Sequence, residues 1–251
     1  DLSQSESSLA GAQAKNTKAI NDFTTSKLNY ENVIGKIDNI DDLNKSLNPI
    51  SPLPQSLNDA IKLSINNNPN ILIAKIEYEQ SEKDIKISKS ELAPTATLSI
   101  ERSNTEDFSS TIDEKEQDTI KATIIWPFFS GGKNLAKVNK NQSEKIRKRL
   151  LLDNTIKSNE TNISSAWSYY QSSESILKSI RAQVNAAEIA NEGITEEYQR
   201  GSRSNLDFIQ STAILLDARI SLANSERDFV LAQYNLLKSI GLLNSDYLNV
   251  K

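Results

Sequence analysis

Between residues 198 and 210 the chain reads YQRGSRSNLDFIQ, which sets a tyrosine, two arginines and an aspartate around a single glycine. A guanidinium facing a carboxylate forms a charge-assisted, bidentate pair, and partial burial strengthens it. The stretch is either a plain corner between two helices or a place where something is gripped or gated. Catalysis needs other groups, and the 251-residue chain has neither His nor Cys. The commonest general base, the commonest transition-metal ligand and the thiol nucleophile are therefore all missing. The carboxylates fall on helical patterns, and no glycine-rich phosphate loop organises a site around them. An enzyme is the remote reading, and no cofactor is expected. Each residue also has a plain role: Gly201 can end a helix, Asp207 suits a helix N-terminus, and Arg203 can be an ordinary solvated charge.

Composition narrows the classes further. Net charge is −4, from 29 basic and 33 acidic residues spread along the chain, which gives no electrostatic case for nucleic acid. Apolar residues make up 37%, with 7 Gly and 6 Pro. That suits long helices with narrow apolar seams better than a turn-rich globule. No window approaches the roughly 18 consecutive apolar residues of a membrane-spanning helix. Met is absent even at residue 1, so the chain is expected to be processed or to belong to something longer.

These charged groups are positioned by elements that the periodicity makes visible. Residues 1–34 read as helix ending at Gly35, and 36–55 as an irregular connector. Ser56 is a good N-cap, with Asp59 at the third helical position. NNNPN ends that short helix, and Pro69 suits the first turn of the next, to about residue 92. After Pro94 the period changes to two. Ala96, Leu98 and Ile100, then Ile120, Ala122, Ile124 and Trp126, alternate with Thr, Ser, Lys and Glu, and at the end with Ile125. Two strands are expected, separated by a polar, acidic loop over 104–117. From Lys133 to Tyr198 the helical period returns. Ile156, Ile163, Tyr170, Leu177, Val184, Asn191 and Tyr198 fall at sevens, an a/d seam of coiled-coil type. Past the corner, Ile209, Leu216, Ala223, Val230 and Leu237 continue at sevens up to Gly241. Helices 69–92 and 205–241 total roughly 92 Å at 1.5 Å per residue, close to the roughly 99 Å of the long helix. Two short helices stacked beside one long one is the expected arrangement. The boundaries are 1–35, 36–68, 69–94, 95–128, 129–204, 205–241 and 242–251.

The chain also repeats itself. Residues 1–35 align without gaps on 207–241 with ten identities, among them Asp1/Asp207, Asp22/Asp228, Phe23/Phe229, Ile34/Ile240 and Gly35/Gly241. Paired DF and IG dipeptides in one register exceed what two heptad helices share by composition. Residues 1–35 are thus expected to be the last helix of a first repeat, with another strand pair and long helix preceding it in the natural protein.

SLNDAI, NNNPNI, LAPTATLSI, WPFFSGG and YQRGSRSNLDFIQ, in that order over almost the whole chain, resemble the TolC-like outer membrane efflux protein family. The resemblance implies a mainly α fold with a small β part, in a homotrimer of two-repeat subunits. Four strands per subunit close a twelve-stranded barrel in the outer membrane of a Gram-negative bacterium. Coiled-coil-like helices form a tunnel through the periplasm. The strands fit independently: about nine tilted residues cross a thin hydrocarbon layer with one apolar side outward. Ala96, Leu98, Ile100, Ile120, Ala122, Ile124 and Trp126 then face lipid, Trp126 at the aromatic girdle, and 104–117 faces outside. The implied function is a passive conduit of a tripartite efflux or type I secretion system.

In the family the helix corner at the periplasmic end narrows the tunnel. By motif position its gate residues fall on Tyr198, Arg203 and Asp207, with Asp1 as the first repeat's equivalent of Asp207. A further aspartate of the family's ring falls on Gln210, so that charge is absent. Arg200, Gly201 and Ser202 occupy the tip where the family docks a periplasmic adaptor (membrane fusion) protein, which links the channel indirectly to an inner-membrane transporter. The alternative is a soluble periplasmic coiled-coil scaffold or adaptor with 95–128 as a β-appendage. It predicts polar residues on both strand faces, or a segment capping the apolar one.

Overall fold

The computed structural model describes residues 2–36, 39, 53–109 and 111–244. Asp1, most of the connector after residue 39 and the tail from 245 lie outside the described residues. In chain order the elements are α1 (Leu2–Val33), α2 (Leu57–Asn67), α3 (Pro69–Ser90), β1 (Thr95–Ser109), β2 (Ile112–Ile125), α4 (Lys133–Gln199) and α5 (Asn205–Ile240). They distribute over two compact units, one of residues 1–53, 165–238 and 245–251, the other of 54–164 and 239–244.

In the second unit α2 begins on a capped turn. The Ser56 hydroxyl accepts from the Asp59 amide at 3.1 Å and donates to its carboxylate at 2.7 Å. α3 then runs antiparallel to the first part of α4. Their surfaces are joined by a ladder of pairs: Glu91 with Lys137, Glu82 with Lys145 (2.7 Å) and Glu77 with Lys148 (2.9 Å). Asn141 Nδ2 also donates to the Asp84 carbonyl at 3.1 Å. Exposed pairs of this kind add little individually, but their order, descending along α3 as it ascends along α4, marks the antiparallel pairing. Lys145 holds the Glu82 carboxyl below the usual range by hydrogen bond and charge.

At the far end of α3 three helices meet. Asn68 caps α3, its Oδ1 accepting from the amides of Asn70 (2.9 Å) and Ile71 (3.4 Å). Its Nδ2 donates to Asn159 Oδ1 on α4 at 2.9 Å and to the Ser239 carbonyl on α5 at 2.8 Å. Gly241, with φ +91°, comes so close that a Cβ there would lie 2.4 Å from the Asn67 carbonyl oxygen. Here the start of α3, Asn159 of α4 and residues 239–241 at the end of α5 are joined within one unit.

In the first unit α5 runs antiparallel to the second part of α4. Tyr170 stacks on Phe229 with ring centroids 5.9 Å apart and lies beside Trp167, so these two serve helix packing while Tyr169 stays exposed. Burial pushes the Tyr170 hydroxyl up from its ordinary value. Ser211 Oγ donates to Asn191 Oδ1 at 2.8 Å, and Arg219 pairs with Glu188 at 2.8 Å. α1 approaches α5 through Lys15 and Asp217, 2.9 Å apart.

On α4 the heptad residues Ile163, Leu177 and Val184 are buried, and so are Asn159 and Ser173, which lie four residues before Ile163 and Leu177. On α5 the expected seam holds only at its end. Leu237 is buried while Leu216 is exposed, and Ser211, Ala218, Ser225, Phe229, Ala232 and Leu236 are buried on the neighbouring stripe. The reason lies in side-chain size. α5 carries two parallel stripes, and the stripe of small residues flanking Phe229 allows close approach to α4. A heptad count weighted toward large aliphatics selects the other stripe.

The strands also differ from expectation. β1 and β2 pair antiparallel from Thr95↔Ile125 up to Ser109↔Ile112, with an irregularity between Glu106 and Ser109. Most of 104–117 is therefore paired strand, not loop. Cross-strand polar pairs account for it: Arg102 lies 3.4 Å from Glu116 and 3.6 Å from Asp118, and Asn104 donates to Glu114 at 2.8 Å. β2 stops at Ile125, one residue before Trp126, because Pro127 has no amide to continue the ladder.

Candidate functional site

Two places carry the candidate site residues: one face of the strand pair, and the corner between α4 and α5. The antiparallel register sets Ala96 opposite Ile124, Leu98 opposite Ala122 and Ile100 opposite Ile120. Alternation then puts all six on one face, and Trp126 follows β2 in the same alternation. Leu98, Ile100, Ile120, Ile124 and Trp126 are all exposed, Ile100 at 77%. The other face carries Thr95, Thr97, Ser99, Thr119, Lys121 and Thr123, with an exposed Ile125 opposite Thr95 at its end. From Ile120 to Trp126 the apolar band is roughly 20 Å long at 3.4 Å per residue. Beyond Ile100 the same face turns charged, with Arg102, Asp118 and Glu116. No helix among the described residues is long and apolar enough to cross a membrane, a statement that does not bear on strands.

The corner is built from two complementary caps. α4 ends on a Schellman turn: the Ser202 amide donates to the Glu197 carbonyl and the Gly201 amide to the Tyr198 carbonyl, both at 2.9 Å. Gly201 takes the left-handed conformation that this turn demands, φ +78°. Three residues later α5 begins on a reciprocal capping box. The Asp207 amide donates to Ser204 Oγ at 3.1 Å, while Asp207 Oδ2 accepts from the Ser204 hydroxyl at 2.9 Å and amide at 3.2 Å. Those hydrogen bonds from Ser204 hold the Asp207 carboxyl below the usual range, with the Arg203 charge adding to them.

Arg203 turns to Glu197, its Nε 2.6 Å from Oε2. That hydrogen bond and charge raise the Arg203 guanidinium further, and Asp207 contributes through charge alone. Tyr198 stacks on Phe208, centroids 5.1 Å apart and planes 12° from parallel. Arg200 pairs with Glu196 at 3.0 Å. Gly201, Ser202 and Gln210 are exposed. The structure thus gathers Tyr198, Arg203 and Asp207 into one corner, but within the chain it partners Arg203 with Glu197 rather than Asp207. Asp1 lies outside the described residues. Sequence reading missed Glu197, Ser204 and Phe208. The S-x-x-D spacing of Ser204 and Asp207 was the legible signal for the capping box.

Among the described residues no acidic cluster could hold a metal ion.

Residues 60–242 match the family profile described as outer membrane efflux protein. The chain is 27% identical over 255 residues to the outer membrane efflux protein BepC of Brucella suis, an alignment covering 100% of this chain and 55% of that protein. Two solved structures share the fold. A membrane protein from Pseudomonas aeruginosa gives a TM-score of 0.71 at 17% identity, over 92% of this chain and 54% of that one. The MtrE outer membrane channel of Neisseria gonorrhoeae, in its open state, gives 0.70 at 14% identity, over 92% and 53%. The chain spans about half the length of the curated relatives it matches. The ordered motifs, the strand pair and helices, and a profile match over most of the residues agree: this chain belongs to the TolC-like outer membrane efflux protein family of Gram-negative outer membranes.

Proposed function

We propose that this chain is one repeat, plus the last helix of another, of a passive outer-membrane conduit. The intact subunit assembles as a homotrimer whose strands close a twelve-stranded barrel in lipid. Its helices form a periplasmic tunnel, and its corner gates the periplasmic end. A periplasmic adaptor protein docks at Arg200, Gly201 and Ser202 and couples the conduit to an inner-membrane transporter. The work is transport, driven elsewhere, and needs no catalytic residue.

The observation that carries this reading is the one-sided strand pair. Leu98, Ile100, Ile120 and Ile124 stand exposed on one face while the other is threonine-rich. In water such a face costs free energy over every residue. In a barrel wall it meets lipid while the polar face meets the lumen. The gate reading rests on Arg203, a polar hinge between two capped helices. An adaptor offering competing contacts shifts such an element by differential binding.

The test is conductance of the full-length protein in planar bilayers, wild type beside Arg203→Ser. A small, cation-preferring conductance that rises clearly in the variant supports a gated conduit. Unchanged conductance removes the gate from the corner. No pore from a trimeric preparation contradicts the conduit.

A further inference from the structure

We infer that Glu197 is the positioning residue that sets how readily the corner releases Arg203; the inference rests on the gate reading above. Three contacts converge on Glu197. Its carbonyl accepts from the Ser202 amide and from the Ser202 hydroxyl, each at 2.9 Å, and its carboxylate takes Arg203 Nε at 2.6 Å. Asp207, the carboxylate that the motif alignment offers to Arg203, is engaged instead by Ser204.

The position of Glu197 is itself unfavourable. It lies in the last turn of α4, which contains no basic residue, where the negative end of the helix dipole disfavours a carboxylate. Arg203 relieves that repulsion from outside the helix. The pair is half exposed on both sides, 49% each, so it is weak and quick to exchange partners. In the gate reading, a bidentate contact from the Nε edge of Arg203 to a closing carboxylate must first break the bond to Glu197, which holds Nε. The two arrangements compete for one guanidinium, and weakening one favours the other by linkage. Glu197 therefore favours the released, open corner, whereas Arg203 is what closes it.

The opposite signs make the inference testable in the full-length channel. In planar bilayers Arg203→Ser raises conductance, while Glu197→Gln raises the closed-to-open ratio, about two- to fivefold for a pair of this exposure. Glu197→Asp, which keeps the charge but shortens the reach, shifts the ratio the same way and less. The double variant matches Arg203→Ser alone, because Glu197 acts through Arg203. If Arg203→Ser opens the channel but Glu197→Gln leaves it unchanged or opens it too, the inference fails and the gate stands. A double variant that differs from Arg203→Ser gives Glu197 a merely structural role and also overturns the inference. If Arg203→Ser has no effect, the gate reading falls and this inference with it.

Discussion

Gly201 and Gly241 both follow long helices in the left-handed conformation, at φ +78° and +91°, and their surroundings could hardly differ more. At Gly201 a Cβ would meet nothing within 4 Å; at Gly241 it would meet the Asn67 carbonyl oxygen at 2.4 Å and Asn68 Cα at 2.6 Å. The first glycine serves backbone conformation alone, the second also serves packing. Around Gly241, Asn68, Asn159, Leu237 and Ile240 are buried, and one asparagine ties together residues 91 and 171 positions away. Around Gly201 the contacts are short-range and, apart from the Tyr198–Phe208 stack, polar and water-exposed. The junction is therefore fixed by burial, whereas the corner is held by bonds that other groups can replace. The proposed gate requires the second kind of place.

Substitutions can break that contrast in order of size. Gly241→Ala should be the most damaging, because it combines a backbone clash with a strained φ. A loss on the order of 3 kcal/mol is expected, read as faster hydrogen exchange at the start of α3. Asn68→Ala removes the α3 cap and orphans the buried Asn159 side chain, at about 2 kcal/mol, visible at the same amides. Gly201→Ala carries only the left-handed penalty, about 1 kcal/mol, and its effect should stay confined to amides 200–208. Equal losses at both glycines would dissolve the distinction.

The smallest effect is on pH. The Asp207 carboxyl is depressed from its ordinary value of 3.8, so its capping contribution is fully present above that value. It is lost as pH falls through the depressed folded value. Exchange at the Ser204 and Asp207 amides, corrected for intrinsic pH dependence, should therefore be flat from neutral pH down to that ordinary value and accelerate only below it. Acceleration already at neutral pH would mean that the cap is not what holds these amides.

Much of this was legible from residue order because it is local. Ser56 and Pro69 announce their helix starts, period-two alternation announces the strands, and Gly201 and Gly241 announce helix ends. Three things were hidden because they depend on partners far along the chain or on small residues. The inner stripe of α5 is built on Ser211, Ala218 and Ser225, which a count of large apolar residues passes over. The strand pair runs on through 104–117 because Arg102 and Asn104 find acidic partners across it, although the segment taken alone reads as loop. Asn68 looks like a plain cap until Asn159 and Ser239 are brought to it. At the corner the family pattern drew attention to Asp207, and only the geometry assigned Arg203 to Glu197.

The most direct test of the account concerns the strand pair, since a soluble scaffold shares the helices. The chain has no Cys, so single cysteines can be introduced at Leu98 and Ile100 on one face and at Thr97 and Thr119 on the other. In the full-length protein in lipid bilayers, fluorophores at 98 and 100 should be quenched by lipids carrying nitroxides on their acyl chains. Those at 97 and 119 should be quenched only by a water-soluble agent. Quenching of all four positions from water, and none from lipid, would contradict the placement of this chain in a membrane barrel.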